Sequence, residues 1–146
     1  MLLAGILAAV LSGVLMSIQG VCNTGVSKSA GTWTTAVFVS LTAGAVSLGI
    51  RLLAGKHESG FSALAQVQPR YLLLGGLFGA FITGTVVLSI ARLGTARAEL
   101  IIVTAQLIAA YGIAVTGWLH AEQEPFSWRK FLALCTALGG VIWYSL

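Results

Sequence analysis

Five long apolar segments make up most of this sequence and limit what it can fold into. They cover residues 2–22, 34–54, 71–91, 98–118 and 129–146. About 20 apolar helical residues cross a bilayer core about 30 Å thick, so each segment is close to spanning length. The sequence lacks the alternation of polar and apolar residues that is typical of membrane strands. Backbone in lipid must satisfy its own hydrogen bonds, which favours helices. The sequence therefore predicts an all-α integral membrane protein, a single domain of five transmembrane helices over residues 1–146.

The composition excludes an ordinary soluble domain. Hydrophobic residues make up 58% of the chain and charged residues only 8%, whereas about 25% charged residues is usual in soluble proteins. The eight Lys and Arg residues are scattered between the apolar segments and form no basic patch with interleaved aromatic residues. We therefore expect the lipid bilayer to surround the chain, and no nucleic-acid partner.

The basic residues near the segment ends give a weak signal for orientation. One side carries five of them and the other side three, a difference of two that mildly favours a cytoplasmic N-terminus. This nearly even distribution of basic residues also suits a chain that inserts in both orientations, or one that pairs with an oppositely oriented partner. The five are Arg51, Lys56, Arg70, Arg129 and Lys130, and the three are Lys28, Arg92 and Arg97.

The sequence shows no arrangement typical of an enzyme or a metal site. His57 and His120 lie in connectors and lack metal-ligand spacing, and Glu122 and Glu124 share a polar loop where solvated charges are usual. No serine lies in a nucleophile motif. We therefore expect no catalytic residue, no bound metal and no cofactor.

The first segment has a polar edge that includes Gln19 and Asn23, which are four residues apart and share a helix face. These carboxamides either form hydrogen bonds between helices or line a cavity and bind a polar group of a substrate, and both can hold. Small residues suited to close helix contact run beside them at every fourth position: Gly5, Ala9, Gly13 and Ser17.

The fourth segment carries Glu99 and Gln106, which are seven residues apart and therefore share a helix face. An ionisable group in a span is by default a functional hypothesis. One interpretation places Glu99 in the first turn of the helix, where a carboxylate favours the helix dipole. The other makes it a proton or cation site facing a cavity, with Gln106 one layer deeper.

Tyr111 lies in the middle of the same segment, where its hydroxyl needs a polar partner or a wet cavity. It either packs with one hydrogen bond or lines a substrate pocket. At the segment ends, Gly94 suits a helix C-cap, and Thr95 and Ser127 suit the N-caps of the fourth and fifth helices.

Several features together resemble a known family. They are Gln19-Gly20-Val-Cys-Asn23, the Arg-Leu-Gly turn at 92–94, Gln106, and Ser127-Trp-Arg-Lys before a last segment containing Gly139-Gly140-Val141. This pattern resembles the YdcZ-like branch of the drug/metabolite transporter superfamily, which is distantly similar to the small multidrug resistance transporters. The resemblance implies a multi-pass protein of the bacterial inner membrane. It also implies an antiparallel homodimer, or a heterodimer with an oppositely oriented homologue.

We therefore expect a subunit of a secondary transporter that exports a small, cationic or amphipathic metabolite or toxicant by alternating access at a dimer interface. The residues expected to bind substrate are Gln19, Asn23, Glu99, Gln106 and Tyr111. The alternative from another class is a membrane scaffold or regulatory subunit that does not transport. A channel is a third option, although no ring of charges suggests one.

Overall fold

Five α-helices form the protein in a computed structural model that describes residues 2–54 and 60–145. They are α1 (Leu2–Ala30), α2 (Thr32–Ala54), α3 (Gly75–Leu93), α4 (Thr95–Thr116) and α5 (Trp128–Ser145). Short 3₁₀ helices cover Phe61–Gln66, Arg70–Leu74 and Trp118–His120. These two ranges contain no strand, and the predicted all-α fold is confirmed. The connector residues Lys56 and His57 lie outside the described residues.

Four of the described helical segments are long and apolar enough to cross a membrane: Leu2–Ala30, Thr32–Leu53, Arg70–Leu93 and Thr95–Thr116. Helix α5 has 18 residues and begins with Trp128, Arg129 and Lys130. At about 1.5 Å per residue it is about 27 Å long. This length is slightly less than a hydrocarbon core of about 30 Å, and α5 is not among the four segments.

Helix α1 is longer than predicted. It runs for 29 residues to Ala30, so the expected end at residue 22 is wrong. The helix continues through the polar residues beyond that point, because their hydroxyls donate hydrogen bonds to backbone carbonyls of the same helix. Thr24 Oγ1 donates to the Gly20 carbonyl at 2.8 Å, and Ser27 Oγ to the Thr24 carbonyl at 2.9 Å. A helix of about 44 Å exceeds the core of about 30 Å, so α1 tilts or projects from it.

The turns between helices are also shorter than expected. Gly31, with a φ of +83°, is the single residue between α1 and α2, and glycine adopts this conformation without steric cost. Gly94, with φ 78° and ψ 160°, separates α3 from α4. It ends α3 as expected, but it also occupies the N-cap position of α4, so the N-cap assignment of Thr95 is wrong. Helix α4 therefore begins at residue 95 rather than 98.

The chain forms two compact units, Met1–Leu88 and Ser89–Leu146. In the first, α1 packs against α2, and Trp33 at the start of α2 contacts Phe81 of α3 edge-on, with ring centroids 6.4 Å apart. Gly84 lies under the same indole, and a Cβ there would be 3.5 Å from the ring. In the second unit, α4 packs against α5.

Little of the chain is buried against itself. The buried apolar residues of the described ranges are Ala36, Val87, Ile90 and Ala98. The large apolar side chains of the helices are mostly exposed, as expected of a protein whose solvent is lipid. A Cβ added at Gly5 or Gly13 would meet no atom within 4 Å, so these two positions of the small-residue row have open space beside them.

Candidate functional site

A groove of about 440 Å³ lies between α1 and α2 in the first unit. It combines an apolar wall with four polar side chains, two from each helix. Helix α1 contributes Gln19 and Asn23, and helix α2 contributes Thr42 and Ser47. The apolar wall consists of Phe38, Val39, Ala43 and Val46.

The two carboxamides in this groove are available for hydrogen bonding. Gln19 is exposed and Asn23 is half-buried, and neither side chain bonds to another described residue. The Thr42 hydroxyl, by contrast, donates to the Phe38 carbonyl of its own helix at 2.7 Å. An unsatisfied amide in an apolar medium costs about 2–7 kcal/mol. Both carboxamides are therefore left without a hydrogen-bond partner among the described residues.

Thr42 and Ser47 were missed by reasoning from the sequence. Their signal is present, because they are the polar members of a helical face that also includes Phe38, Val39 and Val46. Hydroxyl residues in membrane helices usually bond to their own backbone, as Thr42 does, so this signal is weak. The packing of α2 against α1 is what brings these residues to Gln19 and Asn23.

Glu99 and Gln106 lie on α4 and line neither this groove nor a second groove between α4 and α5. Because α4 begins at Thr95, Glu99 lies in the second turn, and the interpretation that placed it in the first turn is wrong. Its side chain is half-buried and forms no ion pair with a described residue. Gln106 is exposed and forms no hydrogen bond within the described ranges. This face of α4 therefore offers a carboxylate and a carboxamide without partners in the described parts of the chain.

Tyr111 joins α4 to the start of α5. Its hydroxyl donates to the Ser127 carbonyl at 3.1 Å and accepts from the Ser127 N–H at 2.9 Å. Ser127 directly precedes α5, as expected of an N-cap position, and its carbonyl also accepts from the Phe131 N–H at 3.0 Å. The Tyr111 hydroxyl therefore has two partners, both on the backbone.

The connector between these helices folds over the C-terminal end of α4. The Glu124 N–H donates to the Ala114 carbonyl at 2.9 Å, and Gln123 Nε2 to the Val115 carbonyl at 3.1 Å. The last carbonyls of a helix have no hydrogen-bond donor within it, so the connector supplies donors for two of them. The α4–α5 hairpin is consequently held by its connector as well as by its helices.

The second groove, of about 390 Å³, lies between α4 and α5. Tyr111 forms part of its wall, and Glu124 and Lys130 supply its charges as an ion pair. The prediction that Glu124 is simply a solvated charge therefore omitted its partner. The rest of the lining is apolar: Leu107, Ala110, Ala114, Ala133, Leu134 and Ala137. Within the described ranges, no group of three or more His, Cys, Asp or Glu residues could hold a metal ion.

Residues 4–143 of the sequence match a protein family with the description "Putative inner membrane exporter, YdcZ". The match covers nearly the whole chain, including all the residues of both grooves. No curated protein and no solved structure matches the chain.

Proposed function

The chain belongs to the YdcZ family of inner membrane exporters, and from that membership we propose that it is one subunit of a secondary transporter. It is a multi-pass protein of the inner membrane, and its family is one of exporters rather than of enzymes. The proposed cargo is a small cationic or amphipathic metabolite or toxicant. It crosses by alternating access at an interface between two subunits.

The groove between α1 and α2 is the observation that carries this proposal. Its volume of about 440 Å³ falls within the range of about 300–1,000 Å³ that is typical of small-molecule sites. Two carboxamides without partners among the described residues face a lining that is apolar except for Thr42 and Ser47. Such a lining suits an amphipathic molecule, because each carboxamide can donate and accept hydrogen bonds while the wall contacts the apolar part.

Each of the five residues expected to bind substrate has a role in this proposal. Gln19, Asn23 and Gln106 each orient substrate by hydrogen bonds. Glu99 attracts a cation or exchanges a proton for it. Tyr111 supplies an aromatic wall, and its ring is held in place by the two bonds of its hydroxyl to Ser127.

A second, oppositely oriented subunit completes the pathway in this proposal. The subunit is either another copy of this chain or a homologue. The support is physical: a single chain buries few residues and leaves Gln19 and Gln106 exposed on membrane helices. Covering such groups with protein is favourable, because polar side chains in lipid seek partners on neighbouring helices.

The test is transport by the purified protein in proteoliposomes, recorded as currents on a solid-supported membrane with a panel of small cations and neutral metabolites. We expect currents with one substrate class, and we expect Gln19→Leu to reduce them at least about tenfold, the effect of about 1.4 kcal/mol lost from substrate binding. Gln66→Leu is the matched control, since Gln66 lies in the 3₁₀ helix Phe61–Gln66 outside the groove.

The alternative of a membrane scaffold predicts a different result. In a scaffold, Gln19 would bind a neighbouring helix, so Gln19→Leu would abolish subunit assembly on size-exclusion chromatography. Wild-type protein would also give no current, even with an oppositely oriented homologue reconstituted beside it. That combination would refute the transporter proposal.

A further inference from the structure

The groove between α4 and α5 combines an apolar floor with one pair of opposite charges. Its floor consists of leucine and alanine side chains, and the pair is Glu124 and Lys130. Both charged side chains are about half exposed, at 49% and 53%. A ligand can therefore approach the two charges without unfolding either helix.

The groove adjoins the part of α5 that suits a membrane interface. Helix α5 begins with Trp128, Arg129 and Lys130, residue types that anchor helices at the headgroup level. We define the aromatic cluster as Phe126, Trp128 and Phe131. The ring centroid of Trp128 lies 5.3 Å from that of Phe126 and 5.8 Å from that of Phe131. The charged end of the groove is thus adjacent to aromatic and basic side chains that favour lipid headgroups.

The Glu124–Lys130 ion pair can be exchanged for contacts with a ligand at low cost. Exposed ion pairs contribute only about 0–1 kcal/mol to stability. A zwitterion that presents an ammonium to Glu124 and an anionic group to Lys130 replaces one ion pair with two and leaves no charge unpaired. A ligand with only one of these charges would leave one protein charge without its partner.

We propose that this groove binds a zwitterionic phospholipid with a primary ammonium headgroup, phosphatidylethanolamine. The phosphate contacts Lys130, the ammonium donates to Glu124, and part of an acyl chain lies along the alanine-rich floor. The volume of about 390 Å³ is sufficient for part of a chain and the adjoining headgroup atoms. This inference shares Tyr111, part of the wall of this groove, with the transport proposal, and otherwise it does not depend on what the protein carries.

Selectivity in this site comes from the headgroup. Lipid tails are as apolar as the floor of the groove, so an acyl chain gains little by leaving the bilayer. Phosphatidylcholine has the same charges as phosphatidylethanolamine, but its trimethylammonium has no N–H to donate to Glu124. Phosphatidylglycerol offers a phosphate to Lys130 and leaves Glu124 without a cationic partner.

The test is native mass spectrometry of the full chain in detergent micelles with an equimolar mixture of the three lipids. We expect phosphatidylethanolamine to be retained about fivefold over each of the other two, the ratio that corresponds to about 1 kcal/mol for the exposed pair. Equal retention of phosphatidylethanolamine and phosphatidylcholine would overturn the proposal. So would a preference for phosphatidylglycerol, which would indicate a basic surface for anionic lipids.

Two variants with matched controls locate the site. Glu124→Gln should reduce the preference for phosphatidylethanolamine over phosphatidylcholine to about one, because it removes the carboxylate that accepts from the ammonium. Lys130→Gln should lower the retention of both lipids, because it removes the contact to the phosphate that they share. Glu122→Gln and Arg129→Gln change neighbouring charges that do not line the groove, so the preference should persist. Survival of the preference in Glu124→Gln would place the lipid elsewhere and refute the assignment.

A headgroup series keeps the proposal falsifiable if the variants fail to fold. Wild-type protein is offered phosphatidylethanolamine and its mono-, di- and trimethylated forms, whose charges are equal and whose N–H donors decrease stepwise. Retention should fall as methyl groups are added. Equal retention across the series would show that Glu124 does not accept from the ammonium.

Discussion

Tyr111→Phe tests whether the hydroxyl of Tyr111 is a structural link between α4 and α5. The substitution keeps the aromatic ring, which lies 6.3 Å from the ring of Phe126, and removes only the oxygen. Two hydrogen bonds to Ser127 are lost, at 2.9 and 3.1 Å. The Ser127 carbonyl keeps the Phe131 N–H as a partner, whereas the Ser127 N–H loses the partner that the structure gives it.

The magnitude follows from these two bonds. A hydrogen bond contributes about 0.5–1.5 kcal/mol net, and values of about 0.6 kcal/mol are typical between membrane helices. Two bonds therefore give a loss of about 1–3 kcal/mol in the free energy of unfolding. The lower half of that range is expected because Tyr111 is only half-buried.

Unfolding of the purified protein by SDS in mixed micelles, followed by far-UV circular dichroism, measures this loss. Tyr144→Phe is the matched control, because Tyr144 is 52% exposed and its hydroxyl bonds to no described residue. Equal stability of the two variants would refute the structural link. If Tyr111→Phe instead left stability unchanged and reduced transport, the hydroxyl would contact the substrate rather than hold the hairpin.

Two further predictions concern the α3–α4 turn and the carboxylate of α4. Gly94→Ala should reduce the free energy of unfolding by about 1–3 kcal/mol, because φ 78° with ψ 160° is essentially restricted to glycine. The control is Gly44→Ala, in the interior of α2, where an added Cβ would meet no atom within 4 Å. In the same SDS titration this substitution should be neutral or stabilising by up to about 1 kcal/mol. Equal destabilisation by the two substitutions would contradict this reasoning. Glu99→Gln should abolish the dependence of substrate currents on a pH gradient in proteoliposomes, whereas Glu122→Gln should preserve it. Unchanged currents in Glu99→Gln would exclude Glu99 from coupling.

Much of the fold could be predicted from the sequence because the bilayer imposes simple rules. Apolar length predicted five transmembrane helices. The described residues form five α-helices, and four helical segments are long and apolar enough to cross a membrane. The ends of the helices were less predictable, since Thr24 and Ser27 look like loop residues but bond within α1. Hydropathy measures the cost of a side chain in lipid, whereas a helix ends where its backbone hydrogen bonds end.

The candidate site was predictable only in part. The shared faces of Gln19 with Asn23, and of Glu99 with Gln106, follow from helical periodicity alone. Periodicity does not predict that Thr42 and Ser47 of α2 lie beside Gln19 and Asn23, because it describes one helix and not its neighbour.

The sequence by itself determined that this chain is a helical membrane protein, and which polar residues share a face of each helix. Tertiary structure alone decided that Tyr111 bonds to Ser127, 16 residues away, and that Glu124 pairs with Lys130 beside an apolar groove. The reason is physical. Segment length and periodicity are properties of one helix in lipid, whereas these contacts depend on how α5 returns along α4 and where the connector between them bonds.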